Sequence, residues 1–199
     1  YQNIAGCKDA CLNTAGLGGV YPSIQDARQR KTDLFLNDRA EFMSQLVLDI
    51  IKFIGACDRK GKKPCIRLNG TSDIQWEKIM VECGQNIFEM FPQVQFYDYT
   101  KIPTRKVDHI SNYHLTWSYS EAAEKYAKLF DSVPYNKAVV FRNKDLPSTF
   151  KGVKVIDGDK HDMRFLDEPN VVVGLKAKGK ARKDTSGFVI HTNNIIATS

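Results

Sequence analysis

The chain contains no apolar run approaching the roughly 18 residues that cross a bilayer, so no membrane segment is predicted. It also shows no low-complexity segment and no secretory signal peptide. It begins at Tyr1 rather than Met, which is compatible with a processed or trimmed N-terminus. No internal repeat is visible, because the spacing of its predicted strands and helices is uneven.

Cysteine is sparse and odd in number, which excludes the dense disulfide framework of small secreted proteins. Cys57, Cys65 and Cys83 lie in apolar segments, where a free cysteine behaves as a small core residue. Cys7 and Cys11 stand apart in a glycine-containing loop. This usage predicts a reducing compartment, the cytoplasm.

A length of 199 residues predicts a single domain with a sizeable core. A hydrophobic content of 42% and a charged content of 26% are typical of a soluble globular protein. The net charge of +6 is compatible with a polyanionic partner. A basic surface without a specific partner is the alternative.

The first part of the chain is predicted to be a loop followed by two helices. Residues 1–22 form the loop, and Ser23 is a candidate cap for the first helix. A longer helix is predicted from Asp38, where apolar residues recur at helical spacing. Its wide apolar face should pack against a sheet.

The rest of the chain alternates short apolar β-type runs with helical patterns. The predicted strands are CIRLN, VQFYDY, YHLTWS, AVVFR, VKVI and VVVGL, and the predicted helices are IQWEKIMVECGQNIFEMF and SEAAEKYAKLF. This alternation is typical of a parallel sheet built from βα units, the α/β class. An open doubly wound sheet fits, but a full or partial βα barrel is favoured, because polar residues follow so many of the strands.

These polar residues should converge on one rim if the strands are parallel. They are Asn69 and Asp73; Asp98, Thr100 and Lys101; Thr116, Ser118 and Ser120; Arg142 and Asn143; and Asp157 and Asp159. Lys101 and Arg142 are candidates for holding the anionic groups of a phosphate- or carboxylate-bearing ligand. Asp73 and Asp98 are the acid/base candidates. For Ser72, Asp73 and Ser120, helix capping is the alternative interpretation.

Two charged segments follow the last predicted strands. In DGDKHD, four side chains carry oxygen or imidazole groups: Asp157, Asp159, His161 and Asp162. They could coordinate a divalent cation or orient a sugar or a base. A solvated turn is the alternative. The basic loop 176–183 contains Lys176, Lys178, Lys180, Arg182 and Lys183 among small residues, a pattern suited to phosphate or nucleic acid. A solvated loop that only aids solubility is the alternative.

Two further patterns suggest ligands. In GCKDACLNTAGLGG, Cys7 and Cys11 have the C-x3-C spacing that could contribute to a zinc site or an iron–sulfur cluster, although two thiolates do not complete either. Aromatic residues on two neighbouring predicted strands could stack on a base, with core packing as the alternative; they are Tyr97, Tyr99, Tyr113, Trp117 and Tyr119.

The chain resembles a family of phage- and plasmid-encoded proteins of unassigned function, related to mycobacteriophage "gene product eighty-eight". The resemblance extends over most of its length, through GCKDACLNTAG, ARQRKTDLFLNDRAEF, RLNGTSDIQWE, VQFYDYTK, NYHLTWSYSE, AVVFRN, DGDKHDMRF and VVVGLKAKGKAR. Membership in this family implies no particular activity.

A more distant resemblance is to the partial βα barrel of radical S-adenosylmethionine enzymes. GCKDAC would match the cysteine loop of those enzymes, and LNGTSD the polar motif that ends their second strand. The chain departs from that pattern, since three thiolates are needed and no predicted strand precedes Cys7. An iron–sulfur radical enzyme would therefore require a third ligand and a strand further upstream.

The sequence is compatible with three functions. The favoured one is an enzyme or ligand-processing βα barrel with an anionic phosphate- or nucleotide-type ligand at the strand ends. The second is a nucleic-acid-binding accessory protein that uses the basic loop. The third is an interaction protein that blocks a host factor, which no particular residue supports.

Overall fold

The computed structural model describes residues 21–81, 84–143 and 145–191. Two helices come first, α1 (Pro22–Asn37) and α2 (Arg39–Asp58). Pro22 occupies the first turn of α1, where its fixed φ suits a helix start, so the predicted cap at Ser23 is wrong. Asp38 caps α2 as expected, because its carboxylate accepts a hydrogen bond from the backbone N–H of Glu41 at 3.0 Å.

In these described ranges, eight strands form one mixed sheet, and the fold belongs to the α/β class. They are β1 (Cys65–Ile66), β2 (Gln95–Thr100), β3 (Tyr113–Ser118), β4 (Lys137–Phe141), β5 (Thr149–Phe150), β6 (Val153–Asp157), β7 (Val172–Lys176) and β8 (Val189–Ile190). Their order is β1-β2-β3-β4-β7-β6-β5, and β8 pairs with β4 beyond the end of β3. Every pairing is parallel except that of β5 with β6. All six predicted strands are confirmed, whereas the two-residue strands β5 and β8 were not predicted.

The sheet is open within the described part of the chain. Its hydrogen-bonded path runs from β1 at one edge to β5 at the other, and these two edges do not pair. The closed form of the predicted barrel is therefore not confirmed. Strand β5 turns back antiparallel on β6 through Phe150 and Val153, which ends the parallel run at that edge.

The helices between the strands are much shorter than the apolar patterns predicted. The pattern from Ile74 to Phe91 gives a 3-10 turn (Trp76–Lys78) and one helical turn, α3 (Ile87–Met90), rather than a single helix. The side chain of Asn86 accepts from the backbone N–H groups of Phe88 and Glu89, so α3 starts there. The next predicted helix is reduced to α4 (Glu124–Ala127). No helix in the described ranges is long and apolar enough to cross a membrane.

One face of the sheet is covered by helices and loops that form the core. Met43 and Ile50 of α2 belong to a buried cluster with Phe96 of β2 and Leu115 of β3, as the predicted apolar face of α2 requires. A second cluster joins β3, β4 and β7 to α4. Part of the apolar face of α2 does not contact the sheet, since Ile51 is exposed.

The opposite face of the sheet carries less cover and leaves a cavity. Alternate residues of β4 and β7 point to this side, among them Ala138, Val140 and Leu175. A segment after β6, residues 158–168, crosses the same face, since Phe165 packs on Tyr97 with ring centroids 5.5 Å apart. The core therefore lies on one side of the sheet and a ligand-sized space on the other.

Asn112 should be important for the stability of the fold. Its side-chain amide donates to the carbonyl oxygens of Phe88, Phe91 and Val94 at 3.0–3.2 Å, which binds the end of α3 to the start of β3. Asn112→Ala should lower the free energy of unfolding by about 1–3 kcal/mol, because the three carbonyls lose the Asn112 amide, although that of Phe91 keeps the backbone N–H of Val94. Asn37→Ala at the exposed end of α1 is the control. Equal denaturant midpoints for the two variants would contradict this role.

Candidate functional site

A pocket of about 450 Å³ lies at the C-terminal ends of the parallel strands. Its apolar floor consists of Ala138, Val140, Leu175 and Phe188. The other lining residues come from the C-terminal ends of β2, β3 and β7 and from the loops after β1, β2, β6 and β7: Arg67, Asn69, Gly70, Thr71, Ser72, Asp73, Tyr99, Thr100, Lys101, Ser118, Gly158, Asp159, His161, Asp162, Lys176, Lys178 and Ala181. The predicted convergence of strand-end polar groups on one rim is thus observed for Asn69, Asp73, Thr100, Lys101, Ser118 and Asp159.

The loop RLNGTSD after β1 is organised around the buried side chain of Asn69. Its Oδ1 accepts from Ser72 Oγ at 2.8 Å, from the backbone N–H of Ile74 at 3.0 Å and from Trp76 Nε1 at 3.1 Å. Its Nδ2 donates to the carbonyl of Ile74 at 3.0 Å. The loop is therefore rigid, and no helix begins at Ser72 or Asp73, so the capping alternative is wrong for both.

Asp73 binds the loop after β1 to the end of β2. Its carboxylate accepts from Thr100 Oγ1 at 2.8 Å and from the backbone N–H of Lys101 at 2.6 Å. Arg105 lies 3.4 Å from the same carboxylate. Asp73 lines the pocket, but these donors already hold both of its oxygens.

Asp98 lies fully buried beneath this loop. Oδ1 accepts from the backbone N–H of Asn69 at 2.7 Å, and Oδ2 accepts from Asn69 Nδ2 at 3.1 Å and from the Tyr113 hydroxyl at 2.9 Å. Burial raises the pKa of Asp98 to about 6, although the hydrogen bonds from Asn69 and Tyr113 act to lower it. Its oxygens hold the loop in place and do not face the cavity.

Sequence reasoning missed Arg105, whose side chain is fully buried behind the same loop. Its guanidinium donates to both carboxylate oxygens of Glu77 at 2.9 and 2.7 Å, and to the Tyr113 hydroxyl at 2.8 Å. Arg105 therefore connects Glu77 to Asp98 through Tyr113. It follows a turn rather than a strand, so no strand-end pattern could have identified it.

Lys101 follows β2 and is 6% exposed at the pocket wall. Its ammonium donates to the carbonyl of Ser118 at 2.8 Å and lies 4.5 Å from the ring centroid of Phe188. The Tyr126 hydroxyl donates to its backbone carbonyl at 2.8 Å. These contacts place a positive charge against the apolar floor of the pocket.

The other residues predicted at the end of β3 divide between core and pocket. Ser118 reaches the pocket, while Thr116 is fully buried and its hydroxyl has no hydrogen-bond partner among the residues the structure describes. Ser120 is buried, and its hydroxyl accepts from the backbone N–H of Ala122 at 3.1 Å. It caps no helix, since α4 begins at Glu124.

The acidic segment after β6 is neutralised by the basic loop. Asp159 accepts from Lys178 Nζ at 2.8 Å and from the backbone N–H of Lys176 at 3.1 Å, and Lys176 Nζ lies 4.0 Å from Asp157. Burial acts to raise the pKa of Asp159, but these two lysines outweigh it and hold that pKa below its ordinary value. The two segments predicted separately thus form one charged wall.

His161 lines the pocket and contacts buried Arg164. Nη2 of Arg164 lies 3.2 Å from His161 Nδ1 and donates to the His161 carbonyl. No group of three His, Cys, Asp or Glu side chains able to hold a metal occurs in residues 21–81, 84–143 and 145–191. Within these ranges, the DGDKHD segment is therefore not arranged as a cation site.

Several predicted ligand residues lie outside the pocket wall. Arg142 donates to the carbonyls of Arg182 and Asp184, so it anchors the basic loop to β4. Arg182 Nε donates to the carbonyl of Ala177 at 3.3 Å, and Lys180 is exposed. The predicted metal ligands Cys7 and Cys11 lie outside the described residues, so their metal binding stays a prediction.

Of the five aromatic residues proposed to stack on a base, Tyr99 lines the pocket. Trp117 and Tyr119 are buried in the core, and Tyr113 stacks on Phe88 with ring centroids 4.1 Å apart. The guanidinium of Arg67 lies 4.6 Å over the Tyr99 ring. Arg67 was not among the predicted site residues, although it directly follows β1, where the other polar positions were found.

Protonation of Asp98 should make the folded protein more stable in mild acid. Its folded pKa of about 6 exceeds the ordinary 3.8, so the folded state binds more protons between these values. The free energy of unfolding should therefore fall as pH rises through this window, by about 1 kcal/mol from pH 5 to pH 7. Denaturant unfolding across this range measures it. The difference between wild type and Asp98→Asn isolates this contribution, and parallel curves would contradict it.

Gly158 should not tolerate a side chain. A Cβ atom there would lie 2.4 Å from Val173 Cγ1 and 2.9 Å from Arg164 Nη1. Gly158→Ala should lower the free energy of unfolding by about 1–3 kcal/mol through overpacking. Gly70→Ala is the matched control in the same pocket, because its Cβ would meet nothing within 4 Å. Thermal unfolding compares the two, and equal midpoints would show that the segment after β6 can shift freely.

Comparison with known proteins identifies the family of the chain. The family model described as Gene product 88 matches residues 2–192, which is nearly the whole sequence. No curated protein and no solved structure matches the chain. The more distant resemblance to radical S-adenosylmethionine enzymes therefore stays a prediction. The family match confirms the resemblance carried by the sequence blocks: the chain belongs to the Gene product 88 family.

Proposed function

We propose that this protein binds a small anionic ligand, of phosphate or nucleotide type, in the pocket at the C-terminal ends of its strands. The observation that carries the proposal is the buried ammonium of Lys101, which donates to the neutral carbonyl of Ser118 and lies against the apolar floor of the pocket. Parallel α/β sheets commonly bind ligands at this edge. The cytoplasm of a phage or plasmid host is the inferred location.

The cavity suits a ligand with an apolar or planar body and a charged end. A volume of about 450 Å³ lies within the range of small-molecule sites, which combine an apolar lining with a few placed polar groups. Val140, Leu175 and Phe188 would contact the body of the ligand. The ammonium of Lys101 would hold its anionic group, since charge-assisted hydrogen bonds strengthen in a buried site.

The two predicted acid/base residues would have different roles. Asp73 lines the pocket and is the proposed acid/base residue, which would have to release one of the donors that hold its oxygens to transfer a proton. Asp98 would act indirectly, because it holds Asn69 and through it the loop that forms the wall. Asp98 is thus proposed as a positioning residue.

A nucleic-acid-binding function ranks second. Two of the five cations of the basic loop, Lys176 and Lys178, face carboxylates of the segment after β6. A phosphate backbone would have to compete with Asp157 and Asp159 for them, which weakens a salt-dependent contact. Lys180 and Lys183 are exposed and would supply the remaining attraction.

Removal of the charge on Lys101 should weaken binding of anionic probes. Lys101→Met keeps most of the apolar stem beside Phe188 and removes the ammonium. Affinity for pyrophosphate, measured by titration calorimetry, should fall about tenfold or more, the value of one charge-assisted hydrogen bond. Lys128→Met is the control, because Lys128 is exposed on the far end of α4 and pairs with Glu124.

Other outcomes would redirect the assignment. Unchanged pyrophosphate affinity in Lys101→Met, or no affinity in the wild type, would contradict the anionic pocket. If single-stranded DNA or RNA binds with a steep salt dependence that Lys180→Ala with Lys183→Ala flattens, the nucleic-acid function would replace it.

A further inference from the structure

One wall of the pocket is a planar cationic surface. The guanidinium of Arg67 lies over the Tyr99 ring at 4.6 Å, and both residues line the pocket. A guanidinium on an aromatic face presents a flat group on which a further ring can stack. Gly70 adjoins it, and a Cβ there would meet nothing within 4 Å, so there is open space beside this wall.

Hydrogen bonds fix the orientation of this surface. Arg67 Nε donates to the carbonyl of Asn69 at 3.3 Å, and Nη1 donates to Asp162 at 3.1 Å. The Tyr99 hydroxyl donates to the second oxygen of Asp162 at 3.2 Å. Asp162 therefore holds both halves of the stacked pair from the segment that crosses the sheet face.

The charge of Arg67 is balanced by Asp162, as that of Lys178 is by Asp159, so both attract a phosphate less strongly. The guanidinium of Arg67 instead contributes its plane, which borders the cavity. The ammonium of Lys101 donates to the neutral carbonyl of Ser118 against the apolar floor. The pocket thus offers a stacking surface and a separate cationic group.

We propose that the ligand of this pocket is a free nucleotide whose base stacks on the Arg67–Tyr99 wall while its phosphate lies near Lys101. This assignment rests on the anionic ligand site proposed above and names its substrate class. It follows from the geometry that the base, and not the phosphate alone, contributes to affinity. Stacking on such a surface tolerates any base.

The test compares ligands with and without a base. Titration calorimetry on the full chain would measure affinities for the four ribonucleoside monophosphates and for ribose 5-phosphate. At least one nucleotide should bind about tenfold more tightly than ribose 5-phosphate, the scale of one stacking contact. Arg67→Lys, which retains a cation for Asp162 but loses the plane, should abolish this preference while leaving ribose 5-phosphate affinity nearly unchanged.

Companion variants keep the result interpretable. Tyr99→Phe retains the ring under Arg67 and should keep the preference, whereas Tyr99→Leu should lose it. Unchanged melting temperatures, or retained ribose 5-phosphate affinity, would show that the variants are folded.

Three results would overturn the inference, and they can be told apart from failure of the anionic site. Equal affinity of the wild type for nucleotides and ribose 5-phosphate would leave the anionic site standing and remove the base. A nucleotide preference that survives Arg67→Lys would place the base elsewhere. If a single-stranded oligonucleotide bound far more tightly than any mononucleotide, the wall would instead bind a base of a nucleic-acid strand. Failure of all phosphate probes would instead contradict the anionic site itself.

Discussion

The buried contact between Asn69 and Asp98 holds the wall on which the pocket depends. Strand β1 pairs with β2 through Cys65 and Ile66. After Ile66, side-chain hydrogen bonds connect the following loop to β2. The carboxylate of Asp98 in β2 accepts a hydrogen bond from the backbone N–H of Asn69. The carboxylate of Asp73 in the loop accepts one from the backbone N–H of Lys101. Two carboxylates thus continue the attachment where the strand ladder stops, because backbone donors still need partners in a buried site.

This attachment has an electrostatic cost that the surrounding residues reduce. Burial penalises the charged form of Asp98, which is why its pKa rises to about 6 despite three hydrogen-bond donors. Arg105 offsets part of that penalty through Tyr113, and Glu77 in turn pairs with Arg105. Tyr113 and Asn69 hold Asp98 in this network, and through Asn69 the network fixes the position of the pocket wall.

Particular elements explain where sequence reasoning succeeded and failed. The strands were predictable, because short runs of β-branched and aromatic residues between turn residues leave few alternatives. The helix expected from Ile74 onward failed because Asn86 caps a new turn, and Gly84 has a φ of +72° that interrupts the helical path. The rim of polar residues followed from strand direction alone. Arg105 was missed because it follows a turn rather than a strand, and its partner Glu77 is far away in sequence. Arg67 directly follows β1 and was within reach of the strand-end pattern.

The sequence by itself determined the α/β class, six of the strands, the family, and the end of the sheet at which polar groups gather. Its periodicity and turn residues are local signals, and parallel strands bring their carboxyl ends to one edge. Only the tertiary structure decided that the sheet is open within the described residues and that Asp98 lies beneath the pocket. It also paired Lys178 with Asp159 and Arg67 with Asp162. Such contacts depend on which loops cross the sheet face, and no local pattern encodes that.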